Sequence, residues 1–158
     1  MSKAITTYLN DHLAGSVAAL ELLDYLVALH QGPDRRPLTD LRTEIEQDQK
    51  VLQQLLRDLG GKESQVRKAA AWLTEKLGQA KLRFDDPGTG DLRVLEALET
   101  LGLGIQGKLS LWRALASVAG EIPQLSGLNL PQLQERAADQ FERVDALRIQ
   151  VARTALPQ

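Results

Sequence analysis

Four acidic side chains fall where a helical pattern calls for apolar ones. Between Ser2 and His30, apolar residues recur at Ile5, Leu9, Leu13, Val17, Leu20, Leu23 and Val27, in steps of three and four that form one stripe on a helix. At about 100° per residue, Asp24 projects near the centre of that stripe and Glu21 at its edge. The next segment repeats the pattern through Leu38, Leu41, Ile45, Leu52, Leu55 and Leu59, with Asp48 near the centre and Glu44 at the edge. Counting back from a turn near Asp34 at about 1.5 Å per residue sets Asp24 opposite Glu44 and Glu21 opposite Gln47. Carboxylates approaching one level from neighbouring helices could hold a hard cation such as iron or manganese, for which oxygen ligands suffice.

Without a metal, a buried carboxylate needs a cation or a raised pKa. Arg148 lies in the last apolar stripe, which runs Leu133, Ala137, Phe141, Val144 and Val151. It is expected to pair with Asp24 or Asp48, unless these side chains reach solvent at the edge of the bundle.

The stretch GLGIQG, Gly102 to Gly107, spells a nucleotide-binding glycine pattern, and Lys108 follows it. That pattern works only after a strand, where the glycines turn the chain onto a helix N-terminus. Here it sits inside a helical segment. Its glycines are expected to mark a crowded crossing or a bend, since each costs roughly 1 kcal/mol against alanine in a helix. His12 and His30 have no identifiable partners for hydrolytic chemistry. Trp72 and Trp112 fall at core positions, and Lys76, Lys81 and Arg83 read as a solvated helix face.

The elements that position these residues are helical throughout. The chain has 158 residues, 43% of them hydrophobic, the size of one domain with a core of its own. With 21 acidic and 19 basic side chains there is no positive field to attract nucleic acid. The absence of cysteine excludes disulfides and thiolate zinc sites and fits a cytoplasmic protein. The start, MSKAITTYLNDHL, lacks a signal-peptide core, and Lys108 and Arg113 interrupt the longest apolar run, so no membrane association is expected. Gly and Pro punctuate the chain into helices at about 2–31, 37–60, 63–84, 91–120 and 130–155 in a single domain, 1–158. Asn129 reads as the N-cap of the last, with Pro131 in its first turn and Gln132 completing a capping box.

Two long helices, a crossover at 63–84 and two more long helices, with acids on the inner faces of the first pair, resemble the ferritin-like superfamily. The resemblance implies an all-α four-helix bundle with a crossover helix between the second and third bundle helices. Its two-metal members take a Glu from each of two helices and Glu-x-x-His from each of the others. Here Gln47 stands where the histidine of Glu44-Ile45-Glu46-Gln47 belongs, Gln106 replaces a carboxylate near Asp145, and Asp139 and Glu142 project off the fourth stripe. The expected protein is therefore a non-catalytic binding or structural module without an intact di-iron site or cofactor, assembled as a homo-oligomer, with a dimer favoured. The alternatives are a carboxylate-ligated iron or manganese protein, with Glu21, Asp24, Glu44 and Asp48 as ligands, and a binder of small apolar molecules.

Overall fold

The leucine stripes become four long α-helices in the computed structural model, which describes residues 3–29, 35–62, 71, 75 and 90–157. They are α1 (Lys3–Leu29), α2 (Arg35–Asp58), α3 (Asp91–Ser117) and α4 (Leu130–Ala155), with a short 3₁₀ turn at Pro123–Leu125 before the last. Apart from residues 71 and 75, the expected crossover at 63–84 lies outside the described residues, as do His30, Trp72, Lys76, Lys81 and Arg83.

Local chemistry sets the helix ends. Gly60 closes α2 in the left-handed region, φ 71°, and Gly61 N–H donates to the Leu56 carbonyl at 2.8 Å, a Schellman closure that favours glycine. Asn129 caps α4, its side-chain oxygen accepting from the Gln132 N–H at 3.2 Å, as expected.

Two apolar clusters give the helix directions. One holds Leu9 and Leu13 of α1, Leu52 to Leu59 at the end of α2, Leu109 to Leu115 of α3, and Leu130, Leu133 and Ala137 of α4. The other holds Leu22 to Leu26 of α1, Leu38 to Ile45 of α2, Val94 to Ile105 of α3, and Val144 of α4. So α1 runs antiparallel to α2 and α3, α4 runs antiparallel to α3, and α2 and α3 are parallel. The chain between Lys62 and Gly90 therefore joins opposite ends of the bundle. The closest helix packing is α3 on α4, α1 on α2 and α1 on α3. α1 is long and apolar enough to cross a membrane, but its leucines at 9, 13, 22, 23 and 26 are buried in this core.

Candidate functional site

The two clusters meet at a layer of polar side chains that break the apolar stripes of α2, α3 and α4. In α2 the buried series Leu41, Ile45, Asp48, Leu52, Leu55 advances in steps of three and four. In α3 Lys108 stands between Ile105 and Leu111, and in α4 Gln140 stands between Ala137 and Val144. In α1 the half-buried Ser16 follows Leu13, its hydroxyl bonded to the Leu13 carbonyl and the Gln49 amide and not to the other three. Asp48 and Gln140 are fully buried, and the Lys108 side chain is only 12% exposed.

These groups satisfy one another. Lys108 Nζ donates to Asp48 Oδ2 at 2.5 Å and also to Gln140 Oε1. Arg136 Nη2 donates to Asp48 Oδ1 from the other side. The Gln140 amide then donates to Glu44 Oε2 at 3.1 Å and to Asp48 Oδ2 at 3.3 Å. Arg143 Nη2 completes the chain, reaching Glu44 Oε2 at 2.5 Å, while its Nε lies 2.9 Å from Asp139 Oδ2. An ammonium has three N–H donors. Two of those on Lys108 are used, and among the described residues nothing accepts the third.

Burial sets the protonation behaviour of the layer. It pushes the Lys108 ammonium below the usual lysine range, against the opposing pull of Asp48. Burial would raise Glu44, but hydrogen bonds from Arg143 and Gln140 outweigh it and hold that carboxyl below its ordinary value.

A cleft of about 200 Å³ opens beside this layer between α1, α2 and α3, with Lys108 and Asp48 among its lining. Its walls are apolar at Ile45, Leu52, Ile105 and Leu111, and they are thinned by Gly15, Gly104 and Gly107. A Cβ added at any of these glycines would meet nothing within 4 Å, so the missing side chains leave open space. At the rim, exposed Asp11 adjoins His12, whose ring packs edge-on against Tyr8 at 4.7 Å between centroids. Burial lowers the His12 pKa, with Asp11 opposing. Ser16 and Gln49 close the polar side, the Gln49 amide donating to Ser16 Oγ at 2.9 Å.

The glycines of GLGIQG thus serve unlike purposes. Gly102 faces α4, where a Cβ would sit 3.5 Å from the Phe141 ring in ordinary contact, while Gly104 and Gly107 face the cleft. The expected tight crossing is corrected to one packed glycine and two that leave a gap.

The expected grouping of acids is also corrected. Asp24 lies on the surface, its side chain 58% exposed and held by Arg42 at 2.5 Å. Glu21 is exposed as well, so only Glu44 and Asp48 approach one another, through Gln140. Arg148 pairs with neither Asp24 nor Asp48: it bonds Asp145 at 2.8 Å and Glu99 at 3.4 Å on the outer side of α3 and α4. Its place between Val144 and Val151 lies on the edge of the buried stripe, so the guanidinium snorkels outward. Gln106 is exposed, and the amide that enters the interior is Gln140. Among the described residues no group of three or more His, Asp or Glu side chains is placed to hold a metal. The oxygens of Asp48 are already taken by Lys108 and Arg136, so this donor set does not fit a two-metal centre.

Sequence reasoning missed Lys108, Arg136, Gln140 and Arg143. The signal for Lys108 and Gln140 was present, since each occupies a stripe position. Arg136 and Arg143 lie one turn either side of Gln140 on the helix that faces Glu44 and Asp48.

Comparison with protein-family models, with curated proteins and with solved structures finds no match to this chain.

Proposed function

We propose that this protein is a non-catalytic helical bundle that binds a small, mainly apolar molecule in the cleft between α1, α2 and α3. The observation that carries this reading is the set of glycines at 15, 104 and 107. None packs against a neighbour and none has positive φ, so neither space nor backbone requires them. Each nonetheless weakens its helix by roughly 0.5–1 kcal/mol relative to alanine. Stability given up at three places around one concave surface is what a binding site costs. The volume suits a single substituted ring, since a dry cavity of roughly 150 Å³ holds benzene.

The test is titration of toluene against protein carrying labelled isoleucine methyls. Saturable shifts at Ile45 and Ile105 are expected, and they disappear in Gly107→Leu, which adds bulk at the cleft lining where a Cβ meets no protein atom within 4 Å. Equal shifts in both proteins would remove the cleft from consideration.

We also infer a ferritin-like arrangement for the bundle. The parallel course of α2 and α3, joined across the bundle length by residues 62–90, supports it, as does the order of neighbours around the bundle. Homodimerisation is a second proposal, supported by Leu103, which is 74% exposed beside Phe141. Sedimentation of Leu103→Lys tests it, with a shift from dimer to monomer expected.

A further inference from the structure

Charge restricts what the cleft can hold. The polar layer is balanced: Asp48, Glu44 and Asp139 face Lys108, Arg136 and Arg143 in a connected set of ion pairs. An anionic ligand would bring a fourth negative charge beside buried Asp48, with Asp11 also at the rim. A cationic one would meet the Lys108 ammonium. Either leaves a buried charge without a counterpart, the most costly outcome in an apolar site.

A neutral ligand has a polar opportunity in the cleft lining, the N–H that Lys108 does not spend on Asp48 or Gln140. That opportunity is for an acceptor. A carbonyl oxygen accepts that bond and brings no donor of its own, whereas a ligand hydroxyl adds an O–H that must also be satisfied. We propose that the cleft selects neutral, ring-sized molecules carrying a carbonyl oxygen, a ketone, aldehyde or ester, and that Lys108 is the residue that reads the carbonyl. This rests on the cleft being the binding site and adds the chemical class of its ligand.

Four planar molecules of nearly one shape separate the possibilities: acetophenone, with a carbonyl; α-methylstyrene, its hydrocarbon counterpart; benzoate, an anion; and benzamidine, a cation. Titrated against the full chain by calorimetry and methyl NMR, acetophenone is expected to bind about tenfold more tightly than α-methylstyrene, the worth of one hydrogen bond to a charged donor. Benzoate and benzamidine are expected to bind more weakly than either. The advantage of acetophenone is expected to vanish in Lys108→Met. Carbonyl-labelled acetophenone supplies a signature that needs no variant, a downfield carbonyl shift on binding to the wild-type protein. Equal affinities for acetophenone and α-methylstyrene with no carbonyl shift would overturn the carbonyl selection while leaving an apolar cleft. Preference for benzoate or benzamidine would overturn the charge argument. If α-methylstyrene and toluene both fail to bind, or bind equally to Gly107→Leu, the cleft itself falls and the selection with it.

Discussion

Asp24 and Asp48 have the same standing in the helical pattern, yet the bundle treats them as opposites. Asp48 is 1% exposed and holds two cations and an amide, whereas the Asp24 side chain is 58% exposed and holds one surface arginine. The difference lies in their helices. α2 has sharply distinct faces, and its leucines leave one way to bury it. α1 carries alanine, leucine or valine on almost every side, and it buries Ala14, Ala18, Leu22, Leu23 and Leu26 rather than the face centred on Leu20 and Val27. A projection locates a buried acid only where the helix itself distinguishes in from out.

Removing one partner from the buried layer should have the largest effect. Lys108→Met leaves Asp48 with Arg136 as its one cation beside the Gln140 amide and is expected to lower the unfolding free energy by about 3–5 kcal/mol. Asp48→Leu combined with Lys108→Met removes the Lys108 pair but leaves Arg136 without its partner, and is expected to recover part of that loss, because apolar replacement of a buried pair is often neutral. Urea denaturation of the three proteins measures both. A Lys108→Met loss below about 1 kcal/mol would place Asp48 on a par with surface pairs.

The same layer should be visible in acid. Because Glu44 is held below its usual carboxylate range when folded, the unfolded chain binds its proton first. Its contribution is complete above the unfolded value of about 4.5 and is lost as pH falls through the lower folded value. Glu44→Gln should therefore lower stability at neutral pH and flatten its decline below pH 4.5, as read by melting temperature against pH.

Glycines give an intermediate contrast within one helix. Gly104→Ala and Gly107→Ala should each stabilise the fold by roughly 0.5–1 kcal/mol, since the new methyl meets open space and the helix gains propensity. Gly60→Ala should destabilise by about 1 kcal/mol, because φ 71° is unfavourable to a side chain. If the cleft alanines are destabilising, the space they enter is occupied in solution.

Much of the architecture was legible because apolar period decides it. Four helices appear within a few residues of their expected limits, and Asn129 caps the last as its side chain and Pro131 suggested. The all-α bundle and the buried place of Asp48 follow from the same arithmetic. What failed was pairing. Lys108 read as an interruption of an apolar run, although a long polar side chain at a stripe position can turn its head toward a carboxylate two helices away. The choice of Arg148 depended on assuming heights along the bundle, and a cation about two turns from the true level cannot reach. The cleft was illegible for another reason: whether glycines mark contact or absence of contact depends on the partner helix, which the pattern of one helix does not contain.

The smallest expected effects complete the contrast. Asp24→Ala removes an exposed pair with Arg42 and should cost about 0–1 kcal/mol, with most of that loss disappearing in high salt. Arg148→Met should leave the melting temperature unchanged across pH 5–8, because Asp145 and Glu99 remain in water when their partner is gone. Salt separates the two regions: it should erase what Asp24 contributes and leave the loss in Lys108→Met nearly intact, since buried pairs are poorly screened. A loss in Lys108→Met that shrinks with salt as readily as that of Asp24→Ala would mean that water reaches the polar layer. The bundle would then hold two surface acids rather than one surface acid and one buried one.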